Sequence, residues 1–389
     1  MTHLHEATIA TDELRPTHLE VDLAQLARNY RAIADHVAPA RVMPILKANA
    51  YGHGLVEVAR TLERIGAPIL GVAYLEEGLR LRHQGVRMPV LVLGGIVGSQ
   101  IPRFLEHDLT LTASSVDKLR AIDECAAAAG KTARVHLKID TGMERLGVHW
   151  YSALPLLEQS LRCRHVDIAG IFTHFANADG PDLAHARLQL ERFAEVLSFY
   201  DRRSLPVPMR HAANSGAILQ LPESHLDLVR PGILFYGARP APEIPAVVPV
   251  EQALRWITRV VFFKVVQPGN PISYGSTFTP DQLTRVVTLP VGYGDGYGRA
   301  MSGQAQVLLG GKRRDVVGRI CMDQIMVSVG WESAFNGDEA VLLGRQGDEV
   351  ITIADLAAWA RTIPHEILTG INTRVPRVHV GMPDATGAL

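Results

Sequence analysis

Met43-Pro44-Ile45-Leu46, followed by Lys47, is a short apolar run that opens a series of similar runs along the first part of the chain. Runs of this length and composition are typical of buried strands. About eight such strands are predicted from this pattern. The others are Ile69–Val72, Val90–Leu93, Leu109–Thr112, Val135–Ile139, Ile168–Phe172, Val207–Arg210 and Leu226–Val229.

Helical periodicity occupies the intervals between these runs. Apolar residues follow Asp22 at helical spacing as far as Val37, and a second apolar face extends from Leu183 to Tyr200. Strands that alternate with helices indicate parallel βα units. Because about eight units are present, we predict an α/β fold that begins with a closed (β/α)₈ barrel rather than an open sheet.

The pattern changes at the proline-rich stretch 240–249, which is a candidate domain boundary. Strand-like runs dominate after it, and only residues 354–361 have a clear helical pattern. We therefore predict a tail at residues 1–16, a barrel at 17–245 and a C-terminal, mainly-β domain at 246–389.

Composition excludes several classes of protein. The 389 residues are 47% hydrophobic, which excludes general disorder, and the net charge of −1 argues against nucleic acid as the main partner. No apolar run is long enough to span a membrane, and residues 1–12 show no secretory signal. Three scattered cysteines favour a reducing, cytoplasmic location and no metal site.

Polar residues that directly follow the predicted strands are candidates for the active site, because barrel enzymes place it at the carboxyl ends of their strands. A lysine that leaves an apolar strand is partly desolvated, which lowers its pKa and makes it a nucleophile. The alternative for Lys47 is a side chain that reaches solvent or pairs with Asp140. The other candidates are Lys138, Asp140, Arg145, His174, His211, Asn214, Ser215, Arg230 and Gly232.

Small residues accompany Ser215 and Gly232 after the last two predicted strands. Barrel enzymes often bind phosphate there through backbone N–H groups, although the same residues also suit ordinary turns. A nucleophilic lysine together with a phosphate site indicates pyridoxal phosphate.

Segments along nearly the whole chain resemble the alanine racemase family and occur in its order. The first, Val42–Gly54, resembles the pyridoxal-phosphate signature of bacterial members. The others are Lys138–Gly147, Thr173–Ala176, Ala213–Gly216, Val229–Ile233, Ile272–Gly275, Val291–Gly296, Gly318–Gln324 and Arg374–Arg377. The family's fold, a barrel followed by a β domain, agrees with the division above.

The resemblance implies a cofactor site. Lys47 would hold pyridoxal 5′-phosphate covalently, and Arg230, supported by His174, would face the ring nitrogen. Because arginine keeps its proton, that nitrogen would stay unprotonated and the cofactor would be a weaker electron sink. The phosphate would be bound by Tyr51, Ser215 and the backbone of Gly232 and Ile233.

Racemisation needs bases on both faces of the substrate Cα. The resemblance implies Lys47 on one face and Tyr274 on the other, with Arg145 as the cation that lowers the tyrosine's pKa from its usual value near 10. Met322 and Tyr293 would shape the carboxylate end of the substrate site.

The resemblance also implies a homodimer in which Tyr274 and Met322 are contributed across the interface. Some members of the family carry a carbamylated lysine at the position of Lys138.

His365 stands where the family usually has a tyrosine that contacts the phosphate and lines the side-chain pocket. Histidine is smaller and can still donate one hydrogen bond.

We therefore predict an isomerase that interconverts L-alanine and D-alanine and supplies D-alanine for peptidoglycan. Two alternatives remain at this point: a racemase of broader specificity that also accepts serine, and a pyridoxal-phosphate-binding protein without racemase activity.

Overall fold

The computed structural model describes residues 15–382, which divide between two compact units. The first unit contains Leu23–Glu251, and the second combines the residues up to Asp22 with Gln252–Val380. The first strand of the chain, β1 (His18–Asp22), therefore belongs to the second unit. The predicted barrel range begins at residue 17 and includes this strand. Most of the predicted tail, residues 1–14, lies outside the described part.

The first unit is a closed barrel of parallel strands, as the α/β prediction required. Most neighbouring strands of the barrel form hydrogen-bonded parallel pairs. The pair between β10 and β2 closes the ring. Bridges Ile45–Gly71 and Leu91–Thr110 join β2 to β3 and β4 to β5, and Asp227 N–H donates to Arg210 O (3.1 Å) between β9 and β10. The short β7 pairs outside the ring with β6. The strands are β2 (Arg41–Val42), β3 (Leu70–Val72), β4 (Val90–Val92), β5 (Leu111–Ala113), β6 (Ala133–Asp140), β7 (Val148–His149), β8 (Val166–Phe172), β9 (Met209–His211) and β10 (Leu228–Val229).

Helices alternate with these strands. β3, β4 and β5 are buried over their whole length because neighbouring strands and helices cover them, which explains their continuous apolar sequence. The helices are α1 (Leu23–Val37), α2 (Lys47–Tyr51), α3 (Leu55–Arg64), α4 (Leu75–His83), α5 (Ile101–Glu106), α6 (Val116–Ala128), α7 (Leu154–Arg162), α8 (Ala184–Asp201) and α9 (Ser215–Gln220). Short 3₁₀ turns cover Gly98–Gln100, Trp150–Ser152, Pro222–Ser224 and Ile233–Tyr236.

The second unit is built on a ten-stranded sheet in the order β12-β13-β16-β15-β14-β17-β11-β1-β19, with β18 paired to β17. Its later strands are β11 (Leu254–Arg259), β12 (Phe262–Val266), β13 (Thr284–Leu289), β14 (Gln306–Leu309), β15 (Lys312–Val317), β16 (Ile325–Gly330), β17 (Glu339–Gln346), β18 (Glu349–Ile351) and β19 (Arg377–Val380). Its helices are α10 (Ile353–Ala360) and α11 (Pro364–Gly370), and 3₁₀ turns cover Tyr274–Ser276, Tyr293–Asp295 and Arg299–Met301.

Two sequence expectations for this unit are wrong in detail. One of the strand-like runs that follow the proline-rich stretch, residues 257–266, predicts a single strand, but the structure has two strands there, β11 and β12, which lie at different places in the sheet. A second helix, α11, follows α10, although only one helix was expected. It is only seven residues long and begins with Pro364, so its periodicity was too short to be recognised.

Candidate active site

Lys47 lies at the carboxyl end of the first barrel strand. It is the first residue of α2, a short helical turn with unusual backbone angles. The next four residues, Ala48 to Tyr51, all have left-handed backbone angles, with φ between 50° and 56°. None of these four residues is glycine, although Gly52 directly after them also has a positive φ, and left-handed residues other than glycine cost about 1 kcal/mol or more each. Such strain is stored only where the surrounding structure enforces it. The turn returns the chain so that Tyr51, four residues after Lys47, is buried.

Several hydrogen bonds hold this turn. Ala50 N–H donates to Leu46 O (2.8 Å), and the side-chain oxygen of Asn49 accepts from Leu55 N–H (3.0 Å). The carboxylate of Glu77 in α4 accepts from Ala48 N–H (2.7 Å) through one oxygen and from Ala73 N–H (2.7 Å) through the other. The turn that carries Lys47 is therefore fastened to the end of the neighbouring strand β3.

Tyr51, Ser215 and Gly232 come together as the resemblance implied. Ser215 Oγ accepts from Gly232 N–H (2.9 Å) and Leu234 N–H (3.3 Å). A Cβ at Gly232 would stand 2.6 Å from the Tyr51 hydroxyl, so only glycine allows this approach. Two hydroxyls and backbone N–H groups thus converge at one place. Ile233 begins the 3₁₀ turn beside them.

Arg230 is buried and held by several acceptors. One terminal nitrogen, Nη1, donates to His211 Nδ1 (2.8 Å). The other, Nη2, donates to Thr173 O (2.7 Å), Ala212 O (2.9 Å) and His174 Nδ1 (3.2 Å). Burial lowers the pKa of Arg230 to about 9, so the guanidinium remains a cation at neutral pH. Among the described residues, no acceptor is observed for Nε or for the second hydrogen of Nη1, so the guanidinium retains donors for a ligand.

The histidines around Arg230 must be neutral acceptors, because arginine offers only donors. Nδ1 of His211 accepts from Arg230, which places the His211 proton on Nε2, where it donates to His136 Nδ1 (2.8 Å). Burial, followed by the charge of Arg230, lowers the pKa of His136 to about 3 and the pKa values of His174 and His211 well below 6.5. These neutral rings accept hydrogen bonds from the guanidinium and fix its orientation without adding further positive charge.

Lys138 and Asp140 lie on β6 and its end. Burial lowers the pKa of Lys138 to about 7, and the charge of Arg230 acts in the same direction. Burial tends to raise the pKa of Asp140, but backbone hydrogen bonds outweigh it and the net pKa is lowered. These include bonds from Gly142 N–H (2.8 Å) and Arg145 N–H (3.1 Å). Lys138 Nζ donates to Ile139 O (3.0 Å).

The surroundings of Lys47 lower the pKa of its amine and so shift it toward the neutral form. Desolvation is the largest cause that lowers the pKa of Lys47, the charge of Arg145 lowers it further, and Glu77 opposes them. A neutral amine is the nucleophilic form. Of the two alternatives for Lys47, the pair with Asp140 is not observed, because the Asp140 oxygens accept backbone N–H groups. The side chain does reach solvent, since Lys47 is exposed even though it is partly desolvated.

These residues fit pyridoxal phosphate, a phosphorylated aldehyde with a pyridine ring. Lys47 supplies the amine for the aldehyde, the Ser215–Gly232–Tyr51 cluster supplies donors for the phosphate, and Arg230 Nε supplies a donor for the ring nitrogen. No group of three or more metal-ligating side chains occurs between residues 15 and 382. The barrel and this donor set define the class of barrel enzymes that use pyridoxal phosphate.

In the second unit, three predicted site residues lie on loops that meet around Cys321. Ser273, which precedes Tyr274, has its hydroxyl 3.5 Å from Cys321 Sγ. Tyr293 N–H donates to Cys321 O (3.0 Å), and Gly294 N–H donates to Met322 O (2.9 Å). Tyr274, Tyr293 and Met322 are 70%, 39% and 52% exposed. Large apolar and aromatic side chains thus face outward from one loop cluster.

Asp295 anchors this loop cluster from beneath. Its fully buried carboxylate pairs with Arg15 (2.8 Å) and Arg374 (2.9 Å) and accepts Gly292 N–H (3.0 Å). Arg374 also pairs with Asp323 (2.8 Å), next to Met322. Arg374 therefore connects both loops.

His365 lies on α11 and is half-buried. Its carbonyl accepts from the Thr369 hydroxyl (2.8 Å).

Sequence reasoning missed one contributor, Glu77, and assigned no specific role to two candidates, Asp140 and His211. Glu77 lies inside a helix and follows no strand, so strand ends could not reveal it. Asp140 was a candidate because it follows a predicted strand, but its role as the acceptor for backbone N–H groups of the next loop was not foreseen. His211 was a candidate because it follows the seventh predicted strand, and it contacts Arg230 directly.

Comparison with known proteins shows the family to which the chain belongs. The family model for the alanine racemase N-terminal domain matches residues 21–240, and the model for its C-terminal domain matches residues 253–379. The alanine racemase of Carboxydothermus hydrogenoformans is 45% identical over 369 residues, covering 94% of this chain and all of that protein. The chain belongs to the alanine racemase family.

Solved structures give the same result. Alanine racemase from the D-cycloserine producer Streptomyces lavendulae matches with a TM-score of 0.89 at 37% identity, covering 95% of this chain and 98% of that one. Alanine racemase from Bartonella henselae, solved with covalently bound pyridoxal phosphate, matches with a TM-score of 0.85 at 27% identity, covering 94% and 100%. The predicted fold class, a barrel with a mainly-β domain, is confirmed.

Proposed function

We propose that this protein interconverts L-alanine and D-alanine with pyridoxal 5′-phosphate bound to Lys47, and that it supplies D-alanine for peptidoglycan. The convergence of Tyr51 Oη, Ser215 Oγ and Gly232 N–H in the same barrel as a lysine of lowered pKa is the observation that carries the proposal. The cofactor, once bound, withdraws electrons from the substrate so that its α-hydrogen becomes acidic.

The chain's own residues would then move the proton. Lys47 Nζ, as a neutral amine, takes the proton on one face of Cα, and the Tyr274 hydroxyl serves the other. Arg230 keeps the ring nitrogen an acceptor, because the guanidinium donates and does not release its proton. Electron withdrawal is thereby limited, which suppresses side reactions such as transamination. Arg145, Met322 and Tyr293 are proposed to position the substrate carboxylate.

We propose a homodimer in which Tyr274 and Met322 are supplied to the partner's barrel. The homodimer is supported by exposed apolar surface next to Tyr274. Phe262 and Val265, on the adjoining strand β12, are 52% and 46% exposed. These side chains line a groove of about 720 Å³ together with Tyr274. Exposed apolar area of this kind marks interaction surfaces, and a second copy would cover it while bringing Tyr274 to a lysine.

The test is racemase activity of the purified protein with added cofactor across a panel of L-amino acids, measured as D-amino acid formed. Borohydride reduction followed by peptide mapping should fix the cofactor to Lys47 and to no other lysine. Cofactor binding without D-alanine formation would instead support a binding protein without racemase activity.

A second specificity is favoured by one observation, His365 on α11 where the family usually has tyrosine. The smaller ring would leave room for a hydroxyl, so we also propose measurable racemisation of serine, with alanine preferred.

The proposed location is the cytoplasm. Between residues 15 and 382, no helix has the length and apolar character needed to cross a membrane.

A further inference from the structure

We propose that Glu77 is a positioning residue for Lys47, whose carboxylate holds the left-handed turn of α2 against the end of β3. This inference rests on the proposed function, since it concerns the lysine that would carry the cofactor. Glu77 touches neither substrate nor cofactor in this account. It acts through the backbone after two neighbouring strands, β2 and β3.

The geometry requires a group with two acceptor atoms. Oε1 of Glu77 accepts from Ala48 N–H (2.7 Å), one residue after Lys47. Oε2 accepts from Ala73 N–H (2.7 Å) and Tyr74 N–H (3.2 Å), directly after β3. Glutamine can accept through only one of its two terminal atoms, because its amide nitrogen would meet a backbone N–H, donor against donor. Aspartate keeps both oxygens but is one methylene shorter.

The need for this bridge follows from the turn itself. Ala48, Asn49, Ala50 and Tyr51 hold left-handed angles that non-glycine residues avoid, so the turn persists only while external contacts enforce it. The direction of Lys47 and the placement of Tyr51 both depend on this backbone. The charged groups that act on the Lys47 amine are Arg145 and Glu77. A pure charge effect of Glu77 must therefore be distinguished from the bridge.

Glu63 provides a matched control. It is half-buried like Glu77, lies in α3, and its Oε1 accepts from Arg87 N–H (2.8 Å) and Met88 N–H (2.8 Å). Those residues precede β4, so Glu63 braces the amino ends of the strands, opposite the barrel mouth. Its removal should cost stability in a similar way and leave Lys47 untouched.

The experiment prepares cofactor-free wild type, Glu77→Gln, Glu77→Asp, Glu63→Gln and Glu63→Asp. Pyridoxal phosphate is titrated into each, and the fraction of Lys47 peptide fixed by borohydride is measured by mass spectrometry. Thermal unfolding is recorded in parallel. Loss of a charge-assisted hydrogen bond should weaken cofactor binding about tenfold in both Glu77 variants. Both Glu63 variants should bind the cofactor with unchanged affinity. Only Glu63→Asp should unfold at lower temperature, because a single oxygen of Glu63 accepts both hydrogen bonds and the glutamine oxygen can replace it.

Wild-type affinity and labelling in both Glu77 variants would overturn the inference. So would a loss confined to Glu77→Gln, because that result assigns the effect to charge and not to the bridge. Both of these results leave the proposed function intact, provided that wild type is labelled at Lys47. Labelling of a different lysine in wild type would instead refute the proposed function, and the inference with it.

Discussion

Substitution of Gly232 by alanine should weaken cofactor binding through a single misplaced methyl group. The new Cβ would stand 2.6 Å from the Tyr51 hydroxyl and 3.8 Å from Ser215 Oγ, so the tyrosine must move. It has little room, because it is 5% exposed and its ring packs 4.8 Å from that of Tyr236. Tyr236 is itself fixed by a hydrogen bond to Ile45 O (2.9 Å).

Overpacking of this kind typically costs about 1–3 kcal/mol. If that cost falls on the bound state, affinity for pyridoxal phosphate drops by roughly fivefold to a hundredfold, since each 1.4 kcal/mol is tenfold. The assay is titration of the cofactor-free protein with pyridoxal phosphate and, separately, with pyridoxal, which lacks the phosphate. Only the phosphorylated ligand should lose affinity, because the displaced hydroxyl belongs to the phosphate cluster.

Gly98→Ala is the control, because a Cβ at Gly98 meets nothing within 4 Å. It should bind both ligands like wild type. Equal losses for pyridoxal and pyridoxal phosphate in Gly232→Ala would show general damage to the barrel and refute the assignment of the phosphate to this cluster. Unchanged binding of pyridoxal phosphate would refute it directly.

Three further results are expected. Tyr274→Phe should abolish racemisation yet still exchange the α-hydrogen of one enantiomer with solvent through Lys47, as followed by NMR in D₂O; equal exchange from both enantiomers would contradict two bases. The folded-state pKa of Lys138 is lowered to about 7 from 10.5, so the unfolded chain binds more protons between these pH values and the free energy of unfolding should rise with pH there. Lys138→Met, compared with wild type by denaturant unfolding in CO₂-free buffer, should lose that part of the rise; an identical pH dependence would mean that Lys138 titrates normally. His365→Tyr should lower the ratio of kcat/KM for serine to that for alanine, with alanine turnover retained, and an unchanged ratio would restrict His365 to a phosphate contact.

The barrel could be predicted from the sequence because strands such as β3, β4 and β5 are buried over their whole length. Full burial demands a continuous apolar run, and runs such as Val90–Leu93 show this directly. The candidates after these runs could be predicted as well, since parallel strands end at one edge. The boundaries between the two units were harder to predict from the sequence. β1 precedes the barrel in sequence but pairs with β11 and β19, and no local pattern records a partner more than 200 residues away.

The sequence by itself determined which chemical groups are present and which end of the barrel bears them: an amine at Lys47, hydroxyls at Tyr51 and Ser215, and a guanidinium at Arg230. Only the tertiary structure decided how they are held. The left-handed turn after Lys47 contains no glycine to announce it, and its support comes from Glu77, on a helix 26 residues beyond Tyr51. The protonation of His211 likewise follows from a contact with Arg230 that forms only when β9 and β10 lie side by side. Hydrogen-bond direction and backbone strain depend on which groups meet in space, whereas apolar periodicity depends only on neighbours along the chain.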